Sequence, residues 1–278
     1  MSQVARRLAA FDLSGRVIVI TGGSGLLGVE HAKAIADAGG TPIIADLRID
    51  SARDCAASVA AEYGVPATAV ELDVTSSASC QAALRTVISE HGRLDGLVNN
   101  AAHNPKVEGK GLAASRFENF SLDDWSRDLA VGLTGAFLVS QVFGAYMAAH
   151  GGGVIVNIAS DLGVIAPDQR IYRQPGVPES EQPVKPVTYS VVKGGLVMFT
   201  KYLATYWASQ NVRVNALVPG GVFAGQPDDF VARLTNLIPM GRMAKRDEYR
   251  AAVVFLCSDA SSYMTGSNLI VDGGRTCW

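Results

Sequence analysis

Cysteine is scarce in this chain and forms no pattern. Among 278 residues only Cys55, Cys80, Cys257 and Cys277 are cysteines, with no C-x-x-C pair and no His at metal-ligand spacing. That excludes a disulfide framework or a metal site and reads as reduced, structural thiols. Blocks of like charge are absent as well. Lys and Arg number 24 against 26 Asp and Glu, a formal net charge of −2, so there is no basic stripe for a nucleic acid backbone. Long unbroken apolar runs are missing too: VIVI at 17–20 and VIVNIA at 154–159 fall far short of the roughly 20 residues that span a bilayer. In the opening MSQVARRLAAFDLSGRVIVI, Asp12 and Arg16 interrupt what a signal peptide would need as its apolar region. The expectation is a soluble, cytoplasmic protein that engages a small molecule, with neither nucleic acid nor membrane as a partner.

Apolar residues are plentiful, at 48% of the chain, and glycines number 29, a balance suited to an α/β protein with buried parallel strands. Apolar, β-branched runs recur at 17–20, 41–46, 67–73, 95–100, 154–159, 212–218 and 268–274. Helix-length segments such as 24–38, 51–63 and 76–90 lie between them, and on the first Leu27, His31, Ile35 and Ala38 share one face. This alternation predicts an α/β, doubly wound Rossmann-type fold, a seven-stranded parallel sheet with helices on both faces. No linker-like shift in composition divides residues 1–278, so a single domain is expected. Two segments break the alternation: 103–120, rich in Gly, Lys and Asn, and 161–188, with Pro167, Pro175, Pro178 and Pro183 among its prolines. Both follow the C-terminal ends of strands, where ligands bind in open α/β sheets, and long irregular loops at such places are more often lids than accidents.

The segment ITGGSGLLG (20–28) joins the first strand to the first helix. Gly22, Ser24, Gly25, Leu26, Leu27 and Gly28 are placed to let backbone approach a pyrophosphate at the helix N-terminus. Asp46 ends the second strand, where a carboxylate accepts hydrogen bonds from an adenosine ribose and repels a ribose 2′-phosphate. NAD is therefore expected over NADP, with Arg48 the one neighbour able to pair with that phosphate. Asp73 and Val74, ending the third strand, would hold the adenine, and Asn100 and Ala101 in NNAA (99–102) would line the adenosine pocket. Tyr189 and Lys193 stand four apart in YSVVK and so project from one helix face. A nearby ammonium favours the phenolate, which makes Tyr189 a usable general base.

The motifs TGGSGLLG, NNAA, VNIAS, YSVVK, VPGG and VDGG, in this order, resemble the short-chain dehydrogenase/reductase family across nearly the whole chain. The resemblance implies that Ser160 orients the substrate oxygen, Tyr189 exchanges its proton, and Lys193 lowers the phenol pKa and holds the nicotinamide ribose. It places Pro219, Gly220 and Val222 beside the nicotinamide, and it implies a homotetramer or homodimer built through the apolar helices at 133–149 and 190–208. Three departures stand out. Leu26 replaces the family's second glycine, Ala224 stands where a Thr is common, and Gly132 replaces an Asn that holds a proton-relay water. Ser160 and Tyr189 are 29 positions apart, wider than the family's usual spacing, and the extra residues are those of 161–188. Together with SGLLG, the 103–118 loop, PMGRMA (239–244) and VDGGRTCW (271–278), this insertion is similar to a subgroup associated with flagellin modification and nonulosonate surface-sugar synthesis. A polar sugar or sugar-nucleotide substrate is then implied. His103, Asp161, Arg170 and Tyr172 are the candidate substrate residues. Either Asp161, Asp168 or Tyr172 gives the proton the exit that Gly132 does not, or a backbone carbonyl near Gly132 holds the water unaided and the insertion serves only substrate recognition.

The expected function is NAD-dependent hydride transfer between the nicotinamide and a secondary alcohol or ketone of a polar, sugar-like substrate. One alternative is an NADPH-dependent 3-oxoacyl-carrier-protein reductase, opposed by Asp46 and the polar insertion. Another is a cofactor-binding regulator or scaffold with impaired turnover, opposed by the retention of Ser160, Tyr189 and Lys193 together.

Overall fold

Each of the seven apolar runs forms a strand, and the strands share one parallel sheet. The computed structural model describes residues 9–103 and 112–278. The strands are β1 (Val17–Thr21), β2 (Thr41–Asp46), β3 (Thr68–Glu71), β4 (Gly96–Asn99), β5 (Gly153–Ile158), β6 (Val212–Pro219) and β7 (Asn268–Val271). Their order across the sheet is β3-β2-β1-β4-β5-β6-β7, so the winding reverses between β1 and β4. Ligand crevices open at the carboxyl ends of strands beside such a reversal. β1, β4 and β6 are buried almost throughout, as strands covered on both faces must be.

Helices α1 (Gly28–Asp37), α2 (Ile49–Tyr63) and α7 (Arg250–Cys257) cover one face, packing Ile35, Val59 and Val253 on Ile18, Ile20 and Val156. The other face carries α3 (Ser77–His91), α4 (Leu122–Ala149) and α5 (Val187–Trp207), with Val87, Phe143, Met147 and Trp207 against Val19, Leu97 and Ile155. A shorter helix, α6 (Asp228–Thr235), follows β6. α1 starts later than its periodicity suggested because residues 22–27 are spent on the turn.

α4 starts earlier than the apolar stretch, at a Ser121 cap whose hydroxyl accepts the Asp124 N–H. It widens into π turns at Ala130–Thr134 and Ser140–Gly144, a local irregularity common near functional sites. By length and composition it is the one helix among the described residues apolar enough to cross a membrane, which a search for unbroken apolar runs passes over. Its Val139, Phe143 and Met147 are nonetheless fully buried against the sheet, the place of a core helix.

The insertion at 161–188 is a packed structure rather than an open loop. Ile171 lies buried with Leu234, Ile238 and Met243, and the Arg233 Nε donates to the Ile171 carbonyl at 2.8 Å. The Gln182 side chain accepts from the Gln174 N–H and donates to the carbonyls of Gln174 and Val177. On its other flank the Val184 N–H donates to Ser115 Oγ at 3.0 Å and Arg116 donates to the Glu179 carbonyl. Residues 104–111 of the first irregular segment lie outside the described residues.

His31 on α1 is fully buried, and neither ring nitrogen has a partner among the described residues. Burial disfavours the charged ring and pushes its pKa from 6.5 down to about 4. Between those values the unfolded chain binds a proton that the folded chain refuses. The neutral ring's contribution is thus fully present above pH 6.5 and is lost as pH falls to about 4, on the order of 3 kcal/mol in all. His31→Leu should flatten the pH dependence of the urea midpoint across this window. Parallel wild-type and variant profiles would show that His31 is not the titrating group.

Candidate active site

The turn after β1 is shaped by what it must pass. Gly22 has φ +59°, and a Cβ there would lie 2.9 Å from the Ala101 Cα at the end of β4, so only glycine fits. The Asn100 amide donates to the carbonyls of Thr21 and Gly22 at 3.0 Å each. The backbone N–H groups of Asn100 and Ala101 both donate to Thr21 Oγ1. The Asn100 side chain thus clamps the turn, while the expectation for NNAA concerns its backbone. Leu27 precedes α1 without a side-chain cap, which leaves helix N–H groups open toward an anion. Gly25 closes the turn by donating to the Gly22 carbonyl, and Leu26 is exposed at its rim.

At the end of β2 the Asp46 carboxylate accepts the Ser24 hydroxyl at 2.6 Å, the Ser24 N–H at 3.2 Å and the Arg48 N–H at 3.1 Å. Asp73 accepts from the Thr75 N–H and hydroxyl, and Val74 packs on Gly135 of α4. Across the crevice Pro219 ends β6, the Gly220 N–H donates to the Val271 carbonyl, and Val222 pairs with Ala244. A bare glycine turn, an uncapped helix start and a poised carboxylate at the neighbouring strand end together fit a dinucleotide.

Ser160, Tyr189 and Lys193 come together where β5 ends against α5. The buried Lys193 Nζ donates to the Ile158 carbonyl at 2.6 Å, and burial pushes its pKa down to about 8, with Lys185 adding to the effect. Ser160 Oγ donates to Asp161 Oδ1 at 2.7 Å. Burial pushes the Tyr189 phenol up from its ordinary value, opposed by a hydrogen bond with Ser160. The Lys193 Nζ is 5.9 Å from the ring centroid and donates to a carbonyl, whereas Lys185 Nζ lies 3.8 Å over the ring. Lys185 too is pushed down by burial to about 8, against the pull of Asp161 and Asp128.

A buried polar chain holds these elements in register. Asn99 donates to Ser140 Oγ at 2.9 Å and to Asn157 Oδ1 at 2.8 Å, Asn157 donates to Thr200 Oγ1 at 2.8 Å, and Thr200 donates to the Leu196 carbonyl. It ties β4 and β5 to α4 and α5. Two asparagines within otherwise apolar strands were its visible signal.

Two of the four candidate substrate residues are otherwise engaged. Asp161 is 3% exposed, its Oδ1 taken by Ser160 and the Leu162 N–H, while its Oδ2 stands 3.2 Å from Arg275 Nη1 in a buried ion pair. Arg170 forms an exposed pair with Asp168. Tyr172 packs at a tilt on Phe230, with ring centroids 5.5 Å apart, and burial raises its phenol, with Arg275 opposing and Tyr189 and Asp161 adding to the shift. His103 Nδ1 is 2.5 Å from Asp128 Oδ1. With Asp161 and Asp168 paired and Tyr172 held firmly protonated, the insertion does not offer the proton exit expected of it. Asp128, Lys185 and Arg275 went unrecognised in the sequence. Asp128, one helical turn before Gly132 on α4, was the most findable.

A doubly wound parallel sheet with a glycine turn at its winding reversal and Ser, Tyr and Lys gathered beside it defines a nucleotide-dependent oxidoreductase. The model for short chain dehydrogenase matches residues 16–172, and that for Enoyl-(Acyl carrier protein) reductase matches 179–276. The chain belongs to the short-chain dehydrogenase/reductase family, whose NAD(P)-dependent members act on CH–OH groups, and it is an oxidoreductase of that kind. It is 36% identical to D-threitol dehydrogenase of Mycolicibacterium smegmatis, over 96% of this chain and 95% of that one. It is 34% identical to a 3-oxoacyl-[acyl-carrier-protein] reductase of Aquifex aeolicus, over 94% and 98%. The crystal structure of a gluconate 5-dehydrogenase from Burkholderia cenocepacia in complex with NADP and tartrate superposes with a TM-score of 0.85 at 30% identity, covering 98% and 99%. Further relatives are named as glycerol, mannitol and xylitol dehydrogenases, some for NAD and some for NADP.

A Cβ at Gly132 would lie 2.6 Å from Val192 Cγ1, and a β-branched side chain on a helix has little freedom to turn aside. Gly132→Asn, restoring the family's residue, should therefore destabilise the fold by about 1–3 kcal/mol. The double variant with Val192→Ala should recover part of that loss. A single variant that melts with the wild type would show that α4 and α5 separate easily here.

Proposed function

We propose that this enzyme oxidises a secondary alcohol of a polyol or closely related polyhydroxy compound, with NAD as its preferred cofactor. The observation that carries the reading is the meeting of Ser160, Tyr189 and Lys193 at the end of β5, beside the glycine turn and Asp46. When bound, the nicotinamide supplies the hydride acceptor. The turn from Gly22 to Gly28 would hold the pyrophosphate, Asp46 the adenosine ribose, and the ends of β4 and β6 the remainder. Ser160 orients the substrate hydroxyl, Tyr189 takes its proton, and Lys193 supplies the adjacent positive charge.

A substrate dense in hydroxyls suits the polar side chains gathered at Tyr189, with Lys185 over its ring and Tyr172 nearby. The relatives favour polyols over the surface sugars that the loop resemblance implied. A homotetramer or homodimer is part of the same reading, since Phe137 on α4 and Val191, Met198, Tyr202 and Tyr206 on α5 are exposed, a patch of the kind that marks protein contacts.

Threitol, glycerol, mannitol, xylitol and gluconate, tested with NAD and NADP against acetoacetyl thioester with NADPH, decide the class of substrate. Turnover of the thioester alone would favour the carrier-protein reductase. NAD should bind at least about tenfold tighter than NADP, a difference of roughly 1.4 kcal/mol, and Asp46→Ala should narrow that gap in calorimetric titration. Tyr189→Phe should lower kcat by about 10²–10⁴-fold with NAD affinity unchanged. A variant keeping more than a few per cent of the activity would remove Tyr189 from the chemistry.

A further inference from the structure

Without a side chain at Gly132, the proton on Tyr189 lacks the family's usual relay, and Val192 fills the space where that side chain would begin. A different connection is present. One turn earlier on α4, Asp128 is 4% exposed. One of its oxygens lies 2.5 Å from His103 Nδ1, and the other accepts the Thr188 hydroxyl at 2.5 Å. His103 follows the end of β4, and 39% of its side chain faces solvent. Between this pair and the reaction centre is a void of about 10 Å³, lined by His103, Asp128, Lys185, Thr188, Tyr189 and Lys193. That is room for a single water with several polar partners.

We propose that His103, oriented by Asp128, carries the proton between Tyr189 and solvent. The proposal rests on the assignment of Tyr189 as the proton-exchanging group. A carboxylate at Nδ1 fixes the ring with its proton on Nδ1 and leaves Nε2 as the acceptor. In the oxidation direction the substrate hydroxyl gives its proton to the Tyr189 phenolate. The phenol passes a proton through a water in the void to Nε2, an imidazolium forms beside the Asp128 carboxylate, and Nε2 returns the proton to solvent. Only O–H and N–H bonds form and break in these steps, no electrons are transferred, and reduction runs the same path in reverse. The charged and titratable groups facing the void are Asp128 from α4, Lys185 from the end of the insertion, and Tyr189 and Lys193 from α5. Asp128 is a positioning residue, held by Thr188 and acting only through the ring.

The test is His103→Gln, assayed on whichever polyol of the panel is oxidised fastest. Stopped-flow recording follows reduced nicotinamide by absorbance and released protons with a pH-indicator dye. Proton release and turnover should slow by at least about tenfold, within what positioned acid–base groups contribute, with little change in KM. Added imidazole should restore most of the loss in the variant and leave the wild type unaffected, a rescue that a structural defect would not show. In the free enzyme, ¹⁵N NMR should find His103 as the Nδ1–H tautomer, shifting toward Nε2–H in Asp128→Asn. Wild-type rates in His103→Gln, a loss that imidazole does not rescue, or an Nε2–H tautomer in the wild type would each overturn the relay. Undiminished turnover by Tyr189→Phe is the separate failure of the assignment beneath it.

Discussion

The arrangement of this active site depends on how closely α4 and α5 pack. Gly132 and Gly144 carry no side chains, and Val192 and Trp207 occupy the space so freed, with a Cβ at Gly144 falling 2.4 Å from the Trp207 ring. A contact of this kind admits no extra atoms without moving a helix, because interiors are packed to crystalline density. It fixes the axis of α5, and with it the positions of Tyr189 and Lys193 against the end of β5. It also prohibits the side chain the family places on α4. The same contact therefore sets the catalytic geometry and removes one of its customary members.

Burying Lys193 at that junction is costly, and the surroundings are arranged to meet the cost. Its ammonium is satisfied by the Ile158 carbonyl, and desolvation shows as a pKa pushed down to about 8. Asp161 and Arg275 face a similar problem, both nearly inaccessible. A buried ion pair is stable only when its remaining lone pairs and protons are also satisfied, and Ser160 with the Leu162 N–H supplies part of that on the carboxylate side. Ser160 is thereby held by a charge that is itself held from the C-terminal turn. Residues far apart in sequence thus converge on one hydroxyl.

The strands were legible because each is a short apolar run, the central ones buried almost throughout, and the glycine turn because its spacing answers to backbone geometry alone. YSVVK was legible because i, i+4 spacing puts Tyr189 and Lys193 on one helix face. The clamp made by the Asn100 side chain was not, since an amide beside a glycine turn can point to a ligand or to the turn, and only the fold shows it bonded to Thr21 and Gly22. Asp161, Arg170 and Arg275 share that ambiguity: charged residues in irregular segments take their meaning from partners brought in from elsewhere. Lys185 was read as part of a proline-rich loop, yet the packing of that loop on α6 brings its amine over the Tyr189 ring. Relative placement of loops is a tertiary result that no local period encodes.

Cofactor choice, on the reading proposed, comes down to one carboxylate and what surrounds it. Asp46 is met by three donors, two from Ser24 and one from the Arg48 backbone. A 2′-phosphate brought to about 4 Å from it meets a repulsion of about 1 kcal/mol if water fills the gap and about 4 kcal/mol in the partly desolvated surroundings of a crevice. Arg48 is the nearest compensating charge along the chain, but its bond to Asp46 is made by its backbone, and the residue is exposed. A flexible exposed cation recovers only a fraction of a kcal/mol to about 1 kcal/mol. On that reading the balance tips toward NAD by an amount set mainly by how far the crevice excludes water.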